Sequence, residues 1–176
     1  MVFTETPLKG AYLVDVERRV DSRGFFGRAW CQQEFEGQKL TAHLTQANIG
    51  FSEKRGTLRG MHYQATPYQE VKLVRCTMGA IYDVIIDLRP DSPSYRQWFG
   101  VELTAETRRM LYVPEGCAHG YQTLADASEV FYQTSQFYSP EWARGVRYDD
   151  PQFGISWPTE VRTISDADSN WPLYIP

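Results

Sequence analysis

The chain has 176 residues, 42% of them hydrophobic and 14% aromatic, which is enough for one full-sized apolar core and too apolar for a disordered chain. Its formal net charge of -4 excludes a general attraction to polyanions, so we expect no nucleic-acid partner. The apolar runs all fall short of the roughly 20 residues that a membrane helix needs, so we expect no membrane partner either.

Glycines and prolines interrupt the chain at short intervals and mark no linker, which predicts a single domain over residues 1–176. The cysteines, Cys31, Cys76 and Cys117, are an odd number without paired spacing. This favours free thiols in a reducing compartment over a disulfide framework. Residues 1–10 also lack the basic and apolar regions of a signal peptide, so we expect a cytoplasmic protein.

The predicted elements are mostly short strands. Aromatic and β-branched residues between turn signals predict strands at residues 11–16, 70–76, 80–88, 97–103, 109–113 and 129–138. Helical periodicity is confined to short pieces such as residues 31–40. Because a parallel doubly wound sheet needs a crossover helix between successive strands, the pattern favours an all-β barrel or jelly roll.

Two of the three histidines, His62 and His119, lie near glycines within strand-like segments. Small neighbours let a ligand approach the imidazole ring closely, although each ring can equally be a hydrogen-bonded core histidine. Two histidines in a barrel can also ligate a metal ion, but the segment His62-Tyr63-Gln64 does not supply the usual second histidine at close spacing. We therefore favour a site with no metal.

Three further polar side chains within predicted strands could carry chemistry. Alternation places Tyr132 and Tyr138 on one side of the last predicted strand. In a cavity, one phenol could donate a proton while the other ring stacks on a flat ligand; alternatively, the two rings simply pack as an aromatic pair. Lys72 shares a face with Val74 and Cys76. Burying an ammonium group among apolar side chains is costly, so we expect Lys72 either to pair with an anion or ligand, or to extend from the strand end into solvent.

Six segments then appear in a fixed order: DSRGFF at 21–26, LRGMHYQ at 58–64, KLVRC at 72–76, PEGCAHG at 114–120, YSP at 138–140 and GISWP at 154–158. Together they closely resemble the dTDP-4-dehydrorhamnose 3,5-epimerase family of deoxysugar biosynthesis. The resemblance implies a cupin-type jelly roll without metal or cofactor, usually a homodimer. Such an enzyme epimerises C3, C5 or both in a nucleotide-linked 4-keto-6-deoxyhexose.

The resemblance also implies roles for residues at the motif positions. His62 resembles the base, Tyr132 the acid on the opposite face of the sugar, Asp168 the carboxylate that holds the base, and Lys72 the cation near the C4 oxygen. The positions implied to contact the sugar, the diphosphate or the nucleobase are Arg23, Phe26, Gln46, Asn48, Arg59, His119 and Tyr138. Strict alternation would put Arg59 and His62 on opposite faces, which predicts a bulge or bend at Gly60.

Three positions depart from the family pattern. Arg28 stands where the family usually has a glutamate that reads thymine, and Ala143 and Ala167 stand where longer polar side chains are common. The catalytic set is intact while the base-reading set is altered. We therefore hypothesise a different nucleotide, or a different way of holding it, in which Arg28 contacts a phosphate or the base.

Two alternatives stay open at this point. The same histidine and aspartate could serve a 3,4-ketoisomerase, which moves one proton and needs no acid on the opposite face. A jelly roll with a polar cavity could also bind a sugar nucleotide without catalysis. Solvent deuterium at C3, at C5 or at neither carbon would separate these hypotheses.

Overall fold

The computed structural model describes residues 1–175, which form thirteen β-strands and two short helices. The strands are β1 (Val2–Glu5), β2 (Tyr12–Asp15), β3 (Arg19–Asp21), β4 (Gly24–Phe26), β5 (Gln46–Ser52), β6 (Leu58–Gln64), β7 (Lys72–Met78), β8 (Ala80–Asp87), β9 (Trp98–Thr104), β10 (Met110–Val113), β11 (Cys117–Thr123), β12 (Ser128–Thr134) and β13 (Ala143–Gly145). The helices are α1 (Gln32–Gly37) and α2 (Asp166–Ser169).

Two antiparallel sheets face each other. The first has the strand order β1-β2-β10-β7-β12-β5, the second has the order β13-β6-β11-β8-β9, and β3 pairs with β4 in a separate two-stranded ribbon. An apolar cluster with members from both larger sheets, among them Val74 of β7 and Ile85 of β8, fills the space between them. This is the predicted all-β jelly roll with a few short helices.

Alternation along the strands decides which side chains enter that space. Lys72, Val74 and Cys76 of β7 are all buried, as their shared face predicted. On β12, Val130 and Thr134 are likewise buried, and Tyr132 packs against the apolar cluster between the sheets. On the inward face of β7 and β12, the pair Lys72 and Thr134 is thus polar, while the pair Cys76 and Val130 further along is apolar.

The predicted strand at 129–138 is too long. β12 ends at Thr134, because the hydroxyl of Thr134 bonds the carbonyl of Gln136 and closes a local turn instead of continuing the ladder. Several strands that the alternation signal missed, such as β1, β3 and β13, have only three or four residues. Segments this short carry too few alternations to stand out from a loop.

The predicted bulge at Gly60 is confirmed. His62 pairs with His119 and Arg59 pairs with Tyr121, so three steps along β6 match two steps along β11. Gly60 has a φ of +132° at this point, and a Cβ there would stand 2.5 Å from the Cα of Gly120. Only a glycine fits such a close approach of two backbones.

The structure also bears on the expected free thiols and on the expected lack of a membrane helix. Cys31, Cys76 and Cys117 are free in the structure. Burial raises the pKa of Cys76 to about 11 and that of Cys117 to about 12, so both thiols stay protonated and unreactive at neutral pH. Within residues 1–175, no helix has the length and apolar character that crossing a bilayer requires.

Candidate active site

A cavity of about 610 Å³ opens at the polar end of the sandwich, which is a volume typical of small-molecule sites. Its walls come from strands of both sheets, from α2 and from the loops beside them. The lining residues are Gln46, Asn48, His62, Tyr63, Gln64, Glu70, Lys72, Tyr132, Thr134, Tyr138, Ala143, Arg144, Ala167, Asp168 and Trp171. The four positions that resemble the family's catalytic set therefore share one cavity.

The C-terminal segment brings Asp168 to His62 across 106 residues of sequence. The amide of Leu58, at the start of β6, donates to the carbonyl of Thr163, which fixes this segment beside the strand. Ser165 then caps α2 by accepting a hydrogen bond from the Asp168 amide, so the aspartate lies in the first turn with its side chain turned inward.

His62 and Asp168 form a close pair. His62 Nε2 lies 2.6 Å from Asp168 Oδ1, and the other carboxylate oxygen accepts a bond from the amide of Gly60 at 3.1 Å. Trp171 Nε1 donates to Oδ1 at 3.3 Å. Burial acts to raise the pKa of Asp168, but the hydrogen bonds from these three groups outweigh it and leave the pKa below its ordinary value.

This pairing settles which ring nitrogen of His62 can act on a ligand. Because Nε2 is held by a carboxylate, which accepts hydrogen bonds, the neutral ring carries its proton on Nε2 and keeps a lone pair on Nδ1. The side chain of His62 is 44% exposed, whereas that of Asp168 is 8% exposed. The ring is therefore oriented from one side and open to a ligand on the other.

Lys72 lies at the start of β7 with its side chain 8% exposed. Its ammonium group pairs with Glu70 Oε1 at 3.2 Å and donates to the backbone carbonyl of His62 at 3.2 Å. An ammonium group has three donor hydrogens, so one remains for an atom in the cavity. The cation is thus tied to the strand that carries His62.

Tyr132 enters the cavity from β12. Burial raises the pKa of this phenol, the negative charge of Glu70 raises it further, and the positive charge of Arg59 lowers it in part. The phenol therefore keeps its proton at neutral pH and can donate it.

Polar groups and a flat ring surround the mouth of the cavity. Gln46 and Asn48, which were expected to contact the substrate, line the cavity from β5, an edge strand of the first sheet. The amide of Tyr138 donates to Gln46 Oε1 at 2.6 Å, which fixes the loop after β12, and the Tyr138 ring is 65% exposed. A ring held at an open mouth can stack on a planar ligand.

On β6 and β11, two residues expected at the substrate, Arg59 and His119, do not line the cavity. Arg59 lies beside it, where its guanidinium bonds Ser52 Oγ at 3.2 Å and the carbonyl of Phe51 at 3.0 Å. His119 is buried, with Nε2 2.7 Å from Asp83 Oδ1 on the neighbouring strand β8. A carboxylate on that strand holds the second imidazole inside the sheet and away from the lining.

The β3–β4 ribbon lies apart from the cavity. Arg23 and Phe26 were expected to contact the substrate, but the ribbon lies outside the cavity of its own chain, where Phe26 is 71% exposed and Arg23 pairs with Asp21. Arg28 bonds Glu34 of α1 at 2.8 Å, so its guanidinium is taken up by a carboxylate of its own chain. The ribbon belongs to neither large sheet, which leaves it free to project from the body.

Some lining residues escaped the sequence analysis. Glu70 stands two residues before Lys72, and this i, i+2 spacing in an apolar strand was the available signal. Gln64 lies within the LRGMHYQ segment, yet nothing in the sequence shows that its amide bonds the backbone of two loops, at Tyr68 and at residues 137–139. Trp171 lies in no recognisable motif.

The described part of the chain, residues 1–175, contains no cluster of three or more His, Cys, Asp and Glu side chains suited to holding a metal ion. The Nε2 atoms of His62 and His119 each face a carboxylate instead.

Comparison with known proteins decides the family. A family model described as dTDP-4-dehydrorhamnose 3,5-epimerase matches residues 5–175. The chain belongs to the dTDP-4-dehydrorhamnose 3,5-epimerase family. Curated family members include the enzyme of Shigella flexneri, 42% identical over 158 residues that cover 88% of this chain and 86% of that protein. Another is the enzyme of Methanothermobacter thermautotrophicus, 41% identical over 98% of this chain and 97% of that protein.

Solved structures of the family agree with the fold. The epimerase of Elizabethkingia anophelis superposes with a TM-score of 0.96 at 34% identity, covering 99% of this chain and 96% of its own. The epimerase of Bacillus anthracis, solved with TDP and pyrophosphate bound, gives a TM-score of 0.94 at 38% identity, covering 98% and 99%. The predictions of the family, of the jelly-roll fold and of an enzyme of the sugar-nucleotide epimerase class are thus confirmed.

Proposed function

We propose that this enzyme epimerises C3, C5 or both in a nucleotide-linked 4-keto-6-deoxyhexose. One observation carries the proposal: an imidazole oriented by a buried carboxylate, a protonated phenol and an ammonium group line the same sugar-sized cavity. A relative from Legionella pneumophila, 31% identical over 97% of this chain and 90% of its own with a TM-score of 0.89, was solved with dTDP-4-keto-L-rhamnose. That complex supports a 4-keto sugar nucleotide as the substrate class.

The reaction begins at the carbon next to the C4 ketone. The lone pair on His62 Nδ1 takes the α-proton, and the electrons of the broken C–H bond move into an enolate with its charge on the C4 oxygen. His62 becomes an imidazolium, which the Asp168 carboxylate stabilises at 2.6 Å. The pair therefore acts as one base.

Lys72 supplies the charge that makes the α-proton removable. Its remaining donor hydrogen meets the C4 oxygen, where negative charge develops only as the proton leaves. Because the Lys72 side chain is only 8% exposed, this interaction is stronger than it would be in bulk solvent.

Tyr132 completes the inversion. Its phenol gives a proton to the same carbon from the face opposite His62, which collapses the enolate to the ketone with inverted configuration. The phenolate then regains a proton from solvent and the imidazolium loses one, so the enzyme returns to its starting state. A single base cannot deliver the second proton, because it stands on the wrong face.

The residues at the base-reading positions bear on how the nucleotide is bound. Ala143 and Ala167 line the cavity with methyl groups, so neither side chain can form a hydrogen bond with a nucleobase edge. Arg28 is paired with Glu34. We propose that the stacking ring of Tyr138 and backbone groups hold the base, with weak discrimination between pyrimidines.

A second copy of the chain is part of the proposal. The β3–β4 ribbon exposes Val20 at 77% and Phe26 at 71%. The outer face of the edge strand β5 also exposes apolar side chains, Ile49 at 66% and Phe51 at 45%. Exposed apolar surface of this kind marks an interface. We propose a homodimer in which the ribbon of one copy brings Arg23 and Phe26 to the cavity of the other, and we expect it to work in the cytoplasm.

Solvent exchange tests the reaction. The protein is incubated in heavy water with the 4-keto-6-deoxyglucose derivatives of dTDP, CDP, UDP and GDP, and deuterium is located by NMR. We expect label at C3, at C5 or at both, and comparable rates for the pyrimidine nucleotides. Absence of label with all four substrates contradicts the epimerase, and a strong preference for thymine contradicts the proposed mode of base binding.

Mixing two inactive variants tests the shared site. Arg23→Ala and His62→Ala are purified separately, mixed, and unfolded and refolded together. In a mixed dimer, the cavity with an intact His62 receives the intact Arg23 of the other copy, so part of the activity returns. No recovery, or a monomer in light scattering, contradicts the proposed dimer.

A further inference from the structure

Glu70 is a buried carboxylate inside the cavity to which the proposed mechanism gives no task. It lies in the β6–β7 loop, two residues before Lys72, and its side chain is 10% exposed. One oxygen, Oε1, lies 3.2 Å from the Lys72 ammonium, and the other, Oε2, lies 3.3 Å from Gln64 Nε2. Both carboxylate oxygens are thus engaged by cavity residues.

The environment of Lys72 shows why this carboxylate matters. An ammonium group that is 8% exposed is costly to bury unless it has a counter-charge. Among the ion pairs of residues 1–175, Glu70 is the one carboxylate within 4.0 Å of Lys72. The carbonyl of His62 accepts one donor hydrogen of the ammonium group, and the Glu70 carboxylate attracts the same group from 3.2 Å, so the two contacts together restrict its position and orientation.

We propose that Glu70 is a positioning residue that holds the Lys72 ammonium in the orientation needed to meet the C4 oxygen. The inference rests on the proposed epimerase function. Glu70 itself touches no reacting atom; it acts through the cation, and its negative charge also acts on the Tyr132 phenol.

The charge of Glu70 also acts on Tyr132, which lines the same cavity. The titratable groups around this phenol come from several elements of the fold: Glu70 in the β6–β7 loop, Lys72 at the start of β7, Arg59 and His62 on β6, Tyr121 on β11, and Asp168 on α2. After burial, Glu70 is the largest cause of the raised pKa of Tyr132, and Arg59 opposes it. Removing the negative charge therefore lowers the pKa of the phenol.

Glu70→Gln removes the charge and keeps the shape. We expect kcat to fall roughly ten- to a hundred-fold, the size seen when a group that orients an active-site ligand is lost, with little change in KM. The alkaline limb of the rate profile moves to lower pH, because Tyr132 loses its proton earlier. Glu70→Asp restores the position of this limb in large part.

The matched control is Glu106→Gln, which changes an exposed carboxylate in the β9–β10 turn. This variant leaves kcat and the pH profile unchanged.

A second readout needs no turnover. The phenols are labelled with carbon-13, the Tyr132 signal is assigned with Tyr132→Phe, and its titration is followed in the wild type and in Glu70→Gln. A titration that moves to lower pH supports the role of Glu70 even if no substrate exchanges, in which case the epimerase proposal fails alone. If the titration and kcat of Glu70→Gln both match the wild type, the role assigned to Glu70 is wrong.

Discussion

Replacing Asp168 by asparagine tests the proposed base without changing the shape of the site. Asp168 accepts three hydrogen bonds: from His62 and Trp171 on Oδ1, and from the amide of Gly60 on Oδ2. All three partners are donors in the resting enzyme. An asparagine side chain offers one acceptor oxygen and one amino group, so it cannot accept on both sides.

The two orientations of the new side chain fail for different reasons. If its oxygen faces Gly60, the amino group faces His62 Nε2 and forces the ring to carry its proton on Nδ1, where the lone pair is needed. If its oxygen faces His62, the amino group meets the amide of Gly60, and a buried donor is left without an acceptor at a cost of about 1–3 kcal/mol. The first orientation disables the base, and the second destabilises the fold.

The expected loss of rate follows from these terms. Losing a charge-assisted hydrogen bond to the imidazolium costs about 1.5–3 kcal/mol, which is about ten- to a hundred-fold in rate. The wrong tautomer adds to this, so we expect kcat for solvent exchange to fall by about three to four orders of magnitude while KM changes little. Asp166→Asn, on the exposed side of the same short helix, serves as the control. If Asp168→Asn exchanges deuterium within threefold of the wild type, Asp168 does not set the state of His62.

Three further predictions concern the acid, the bulge and the behaviour in acid. Tyr132→Phe should retain proton removal but lose inversion, so NMR should show exchange without the epimer, and equal epimerisation would exclude this phenol as the acid. Gly60→Ala places a Cβ on a residue with a φ of +132°, so the free energy of unfolding measured in urea should fall by about 1–3 kcal/mol or more. Gly37→Ala is the control and should be nearly neutral, because no atom lies within 4 Å of a Cβ at that position. Burial acts to raise the pKa of Asp87, but Arg89 and nearby serines outweigh it, so the pKa lies below 3.8. The stabilisation from this depressed carboxyl is complete above that value and is lost as the pH falls through the folded pKa; acid unfolding of Asp87→Asn should be less steep than that of the wild type.

Local alternation in the amino-acid order was enough to predict several strands and the faces of those strands. Lys72, Val74 and Cys76 share the buried face of β7 because side chains alternate every two residues. The bulge at Gly60 could also be predicted, from the expectation that Arg59 and His62 serve one pocket; the bulge is present, but Arg59 lies beside the cavity and does not line it. Asp168 was assigned by resemblance alone, because nothing local in a sequence connects residues 106 positions apart.

Which elements meet in space became known from the folded chain and not from its sequence. It places Glu70 and Gln64 in the cavity through the approach of the β6–β7 loop, and it places the β3–β4 ribbon outside the cavity of its own chain. It also turns His119 toward Asp83 of β8. Alternation fixes the two faces of a single strand, whereas the neighbours of that strand depend on register and packing summed over the whole chain, which no local pattern contains.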